Sequence, residues 1–334
     1  MTNKTGNSES LFDALRLFHR SDSIAIFEGS VGLFILIVDL LCNLVVCVIF
    51  VQHKETANAF NVYSLSLAVA DIILSAVAMP FSVLALFKGY WDFGSAWCTI
   101  QGVVAVWSCE ASILTMTLAA LHRYTKMLRT PFHKRLYTKG FIIKSIIFAW
   151  VLAIMGPVIY LLKGSSFAFV PAFAICTFDY YALDTTFAAL MVIFLSIIPF
   201  NIILFCYLKV WRFVQAHKAA MSMRQVPTEE IRLNKLVGAI VFSFVLCWTP
   251  LVVVVFIIAF QGVLFVPREV CLFAIFMAST SSCLNPIIYT AFFRDAKKIF
   301  CRKIRCCCKL RAVSQIGPKL ESTKIEMKNT SAQE

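Results

Sequence analysis

Long apolar stretches alternate with short polar ones along this chain. Seven of them, roughly 31–51, 60–87, 97–127, 140–162, 186–214, 230–260 and 268–291, are predominantly apolar, and each reaches the length of about 20 residues that a helix needs to cross the hydrocarbon core of a bilayer. Runs such as LVGAIVFSFVLCWTPLVVVVFIIAF in the sixth show no alternation of apolar and polar positions, which excludes the strands of a membrane barrel. Helices and closed barrels are the two architectures that satisfy the backbone in lipid. The pattern therefore predicts an all-α membrane protein, a seven-transmembrane helix bundle over 31–291. The first apolar run is long enough to span and reads as helix one, not as a cleaved signal.

The flanks differ from the bundle. Residues 1–30 are mixed and polar and carry the sequon Asn3-Lys4-Thr5, so they read as an extracellular N-terminus with Asn3 as a glycosylation candidate. Over 292–310 the stretch FFRDAKKIFCRKIRCCCKL segregates apolar and basic residues, as does an amphipathic eighth helix lying on the membrane surface. Cys301, Cys306, Cys307 and Cys308 fall at that membrane edge and are candidates for palmitoylation. Residues 311–334 are polar and read as a disordered cytoplasmic tail.

Composition supports lipid as the solvent. Of 334 residues 60% are hydrophobic and 15% charged, against about 45–50% and 25% in soluble proteins. The net charge of +13 would suggest nucleic acid on a soluble chain. Here its placement matters instead. Arg129, His133, Lys134, Arg135 and Lys139 follow span three, and Arg212, His217, Lys218, Arg224, Arg232 and Lys235 connect spans five and six. The opposite loops carry only Lys88, Lys163 and Arg268. The N-terminus is thus expected outside and the C-terminus inside the plasma membrane, with membrane lipid and not nucleic acid as surroundings. The chain holds 13 Cys, several of them inside apolar runs, and none is paired with histidines at metal-ligand spacing. A Gly-rich phosphate loop and a nucleophile elbow are both missing, so an enzyme is not expected. A transporter or channel stays as the alternative, but it would call for inverted repeats, which the sequence lacks.

Residues inside the spans decide between these classes. They run in order: Asn43; SLAVAD ending at Asp71; Cys98 through His122-Arg123-Tyr124; Trp150; Pro199 and Tyr207; Cys247-Trp248-Thr249-Pro250; and Asn285-Pro286-Ile287-Ile288-Tyr289. This series resembles the rhodopsin-like (class A) G-protein-coupled receptors across nearly the whole membrane region. Cys176-Thr177-Phe178 and Phe205-Cys206-Tyr207-Leu208-Lys209-Val210-Trp211 add a finer resemblance to melatonin-type receptors and neighbouring orphans.

The resemblance implies a receptor that passes an extracellular signal to a heterotrimeric G protein, with Gi/o the expected class, and with arrestin and receptor kinases as further partners. It implies a disulfide between Cys98 and Cys176, both facing an oxidising compartment. It implies an allosteric sodium ion held by Asp71, Ser112, Ser282 and Asn285, whose side chains offer the oxygens a hard cation prefers; Asp71 protonated and hydrogen-bonded is the plainer reading. Ile113, Pro199 and Phe244 match the packing trio beneath the ligand cavity. Trp248 lies one turn outward of Phe244, and Pro250 and Pro286 can kink their helices. At the inner end Arg123, Tyr124, Tyr207 and Tyr289 match coupling positions, and Pro131 and Phe132 the inner loop that meets the G protein. His122 stands where the family keeps an acid, so the expected resting lock rests on Arg123 and Glu230.

Carried over position by position, the resemblance also outlines a ligand pocket. Ala105 stands where amine receptors hold an aspartate, Ser279 where opsins carry the retinal lysine, and Leu195 where melatonin receptors have a histidine. An amine anchored at Ala105, a retinal Schiff base and melatonin itself are therefore not expected. Val106, Cys109, Met191, Trp248, Leu251, Val252, Val255 and Ile275 complete an apolar lining, to which Glu110, Ser279 and Gln101 add polarity. A small, largely apolar ligand is the expectation, with a receptor that has no ligand of its own and signals by basal activity as the alternative. Asp39, one turn from Asn43, is an unexpected acid and is read as extending the polar network around Asp71.

Overall fold

A computed structural model of the chain describes residues 20–52, 59–179, 185–220, 228–262 and 265–292. Within these, seven helices are long and apolar enough to cross a membrane. Span one is the helix Asp22–Gln52. Span two comprises Ala59–Ile73, a π-helical turn over Leu74–Ala78, and Met79–Lys88. Span three is Gly94–Leu128 and span four Lys139–Leu162. Span five comprises Thr185–Met191, a second π turn over Val192–Ile197, and Ile198–Ala220. Span six is Thr228–Gln261 and span seven Arg268–Phe292.

Span one begins nine residues before the apolar run that announced it, so residues 22–30 belong to the bundle and not to an N-terminal arm. Glu28 lies in this first stretch of the helix. Its carboxylate is neutralised by Arg20 and by Arg268 at the start of span seven, and is largely buried. Arg268 is accordingly an ion-pair partner inside the bundle and not a free loop charge.

Both π turns have the same origin. Pro80 and Pro199 lack an amide hydrogen and would press their rings on the carbonyls of Ala76 and Leu195. Each of those residues lies in the π turn that widens the helix to relieve the conflict. Span two then stops at Gly89, whose left-handed backbone (φ 87°) suits glycine alone.

Span three is the central element, packed against spans two, four and five. Small residues let it approach closely: Ala70, Ala111 and Ala153 form one core between Trp107 and Trp150. Without a hydrophobic drive between helices in lipid, such close packing and polar links hold a bundle together. Trp150 Nε1 donates to Ser66 Oγ at 3.0 Å, Trp107 Nε1 donates to the Trp150 carbonyl at 3.0 Å, and the Ser66 and Thr115 hydroxyls are 3.2 Å apart. Large side chains such as Phe34, Phe148, Phe194, Phe242 and Phe273 stand exposed on the outside, where lipid would meet them.

One departure from an all-helical plan is the connection between spans four and five. It forms an antiparallel hairpin, β1 Phe167–Val170 and β2 Ile175–Phe178, with Phe169 opposite Cys176. A Cys98–Cys176 disulfide, Cα–Cα 5.3 Å, fastens the hairpin to the outer end of span three. A short helix, Thr130–Leu136, forms in the inner loop after span three.

Candidate functional site

The hairpin roofs a cavity of about 170 Å³ that opens between spans three, five, six and seven. Span three supplies Ala105, Val106, Cys109 and Glu110; span five supplies Met191, Val192 and Ser196; span six supplies Trp248, Leu251, Val252, Val255 and Ala259; span seven supplies Ile275. Phe173, Ile175, Cys176, Thr177 and Phe178 close it from above. Gln101 fixes the height of this roof. It is fully buried, donates from Nε2 to the Ala78 carbonyl and Ser82 Oγ at 2.9 Å each, and accepts the Cys176 amide at 3.0 Å. Gly102 leaves the space in which the Phe167 ring rests, and a Cβ there would also sit 3.1 Å from the Cys176 carbonyl. Tyr160 completes the support: its hydroxyl donates to the Ser166 carbonyl and accepts the Asp179 amide, both at 3.0 Å.

A second cavity shares Ala105, Cys109, Trp248, Leu251 and Ile275 with the first and reaches inward to Asp71, Ser112, Ser279 and Ser282. Asp71 Oδ1 accepts from Ser282 Oγ at 2.9 Å and Ser112 Oγ at 3.3 Å, and Asn285 lies beside the same carboxyl. Asp39 is fully buried and accepts from Asn43 Nδ2 at 2.7 Å, while that nitrogen also reaches the Ser282 carbonyl at 3.4 Å. Among the described residues, Asp39 Oδ2, Asp71 Oδ2 and Asn285 Oδ1 remain buried acceptors without a hydrogen-bond donor. This surplus of acceptor oxygens fits a small hard cation. Among the described residues no three His, Cys, Asp or Glu side chains come together as metal ligands.

Trp248 forms the floor of the first cavity. Its Nε1 donates to Ser281 Oγ at 2.8 Å, and its ring lies 5.6 Å from Phe244, which stacks on Phe200 at 5.4 Å. Ile113, Phe244 and Pro199 are all buried around this point. Pro286 is buried in span seven, and Pro250 lies within span six beside Trp248.

At the inner end Arg123 is only 3% exposed. Its neighbour His122, in place of the usual acid, is held in a ring cage by Tyr63 at 6.0 Å, Tyr137 at 5.0 Å and His133 at 4.8 Å. Burial, with repulsion from Lys126 and Arg123, lowers the pKa of His133 below its ordinary value. That favours the neutral imidazole stacked on Tyr137 at 4.9 Å. Burial raises the Tyr137 pKa, against an opposing hydrogen bond to Thr125. The inner-loop helix leaves Phe132 54% exposed beside Pro131. Tyr124 packs on Phe205 at 5.9 Å, and Tyr207 occupies the space that Gly238 leaves on span six.

The profile of the 7 transmembrane receptor (rhodopsin family) matches residues 42–289. The chain belongs to this family. It is similar to the melatonin receptor type 1B-B of Danio rerio, 28% identical over 82% of this chain and 80% of that one. Similarity to the melatonin receptor type 1A of Gallus gallus is 29% over 81% and 79%. With the melatonin receptor type 1C of Xenopus laevis it shares 27% identity over 81% of its own length, spanning about two thirds (65%) of that receptor. The fold matches the crystal structure of squid rhodopsin with a TM-score of 0.72 at 25% identity, over 86% of this chain and 88% of that one. The protein is thus a multi-pass membrane receptor of signal transduction, and neither an enzyme nor a transporter.

Most pocket residues expected of the receptor from sequence do meet around one cavity. Ser279 does not line it; it faces the second cavity beside Ser282. Gln101 is a strut and not a lining group. The side chains of Leu195, Glu230 and Tyr289 lie outside the described residues, as do Asn3, the eighth helix and Cys301, Cys306, Cys307 and Cys308. Sequence reasoning missed the roof residues Phe173, Ile175 and Phe178, and also Phe187, Val192 and Ser196. The short β-rich run beside Cys176 was the available signal for the roof.

Proposed function

We propose that this receptor binds a small, largely apolar ligand in the roofed cavity and passes the signal to a heterotrimeric G protein of the Gi/o class. The observation that carries the reading is the cavity itself, with its apolar lining and Trp248 as floor. Ligand contact would bias the packing of Trp248, Phe244, Ile113 and Pro199, since packed interfaces switch between discrete arrangements. Pro250, Asn285 and Pro286 would carry the change along spans six and seven. Asp71, Ser112, Ser282 and Asn285 would hold a sodium ion, which supplies positive charge to a cluster rich in acceptor oxygens. At the inner end, Arg123 and Glu230 would restrain the resting state, and Tyr124, Tyr207 and Tyr289 with Pro131 and Phe132 would meet the G protein. The local likeness to melatonin receptors supports Gi/o coupling but not melatonin as ligand, because Leu195 replaces a histidine. Arrestin and receptor kinases complete the expected partners, with glycan on Asn3 and palmitate on the cysteine cluster.

The test is a panel of G-protein activation assays in transfected cells without added ligand. Gi/o activation above that of mock-transfected cells is expected. Glu230→Gln should raise it and Arg123→Ala should abolish it at equal surface expression. Basal signalling through another G-protein class alone would overturn the coupling assignment, and an unchanged Glu230→Gln variant would overturn the lock.

A further inference from the structure

Among the described residues that line the roofed cavity, one carries a charge-bearing group, Glu110. Its Oε2 is buried and has no hydrogen-bond partner. Lys, Arg and His are absent from this described lining, whose other polar side chains include the hydroxyls of Ser196 and Thr177. We propose that Glu110 is the ligand anchor and that it takes a protonated amine on a small, otherwise apolar ligand. The proposal rests on the roofed cavity being the ligand site.

A carboxylate out of water without a partner is costly by several kcal/mol, and an opposite charge with well-placed hydrogen bonds offsets much of that cost. An anionic ligand finds no cation among the described lining residues and would face Glu110. A wholly apolar ligand would displace any water and leave the carboxyl unmet. A protonated amine supplies the missing donors and the opposite charge together, the stronger kind of hydrogen bond. The position differs from Ala105, five residues outward and on another face of span three. Glu110 shares a face with Val106, four residues before it, and with Ile113, three residues after it. The amine would therefore sit between spans three and five, one turn outward of Ile113. The apolar body would lie toward Trp248 and Val252.

Three matched probes test this on the purified full-length receptor: naphthylethylamine, its N-acetyl derivative and naphthylpropionic acid. Binding is read by thermal stabilisation and by G-protein activation in cells. The amine should bind most tightly and the acid least. Glu110→Gln, nearly isosteric, should weaken the amine at least about tenfold, while the N-acetyl compound changes little. Glu110→Asp should retain part of the preference. An acid that binds as tightly as the amine, an amine preference unmoved by Glu110→Gln, or no amine binding at millimolar concentration would overturn the proposal. Val252→Trp, which fills the cavity, separates the two levels of failure. If it abolishes probe binding while Glu110→Gln does not alter the preference, the cavity stands and the anchor falls. If it leaves bound probes unaffected, the cavity reading falls and takes the anchor with it.

Discussion

Glu28→Gln should be among the most damaging single substitutions outside the cavities, for a reason that can be worked through. Arg268 grips Glu28 with both prongs of its guanidinium, Nη1 to Oε1 at 2.8 Å and Nη2 to Oε2 at 2.6 Å. Arg20 Nη1 donates to Oε2 as well. The Glu28 and Arg268 side chains are 10% and 7% exposed. A glutamine side chain would keep the shape but lose the charge, leaving two largely buried guanidiniums to face each other. Removing one partner of a buried pair costs about 3–5 kcal/mol. At about 2–4 °C per kcal/mol for a unit of this size, the apparent Tm should fall by roughly 6–20 °C. The assay is thermal unfolding of detergent-solubilised receptor at a fixed heating rate, since such unfolding is usually irreversible. The double variant Glu28→Gln/Arg268→Gln should be less damaged than Glu28→Gln alone, because it removes the stranded charge on span seven. A single variant within about 2 °C of wild type, or a double variant worse than the single, would refute the argument.

Two further predictions concern the roof. Cys98→Ser opens a loop whose ends are 78 residues apart. The chain-entropy cost of that closure is about 4.5 kcal/mol, so surface expression and Tm should both drop, and reducing agent should reproduce the Tm loss in wild type but not in the variant. Gln101→Leu keeps the volume but removes hydrogen bonds to Ala78, Ser82 and Cys176. It should cost about 2–4 kcal/mol at roughly one per bond plus the stranded backbone groups, measured by the same unfolding assay. No Tm change would show that the roof is held otherwise.

The spans were legible because lipid imposes a simple rule: about 20 apolar residues in a helix. The rule failed at span one, where it cannot register an acid answered by Arg20 and by Arg268, 240 residues away. Glu28, within the stretch read as a polar N-terminus, is a buried tie. It also gives no account of backbone detail, and the π turns follow from Pro80 and Pro199 only once each helix is known to continue through its proline. In the site, helical spacing and family position fix which span-borne residues share a face, and most of those named meet around one cavity, Ser279 and Gln101 apart. The roof residues were missed, since Phe173 and Ile175 enter the cavity through a hairpin turn whose course no periodicity encodes. Gln101 looked like a lining group from its place on span three, yet its two hydrogen-bonding ends face span two and the hairpin instead.

The two cavities are joined mechanically as well as spatially, and a pair of adjacent serines does the joining. Ser281 accepts the indole of Trp248 at 2.8 Å, so it reports the position of the upper floor. Ser282, the next residue, donates to Asp71 at 2.9 Å, and its carbonyl receives Asn43, the partner of Asp39. A rigid helix cannot move one of these residues and leave the other behind. Displacement of Trp248 by something occupying the upper cavity should therefore be felt at the hydrogen bonds of Asp71. Equally, a cation or proton that rearranges the acceptor oxygens around Asp71 should shift the seat of Trp248. Reciprocity of this kind is what thermodynamic linkage demands of two coupled sites. Here it runs through one turn of span seven, with Asn285 and Pro286 directly beyond it on the way to the inner end.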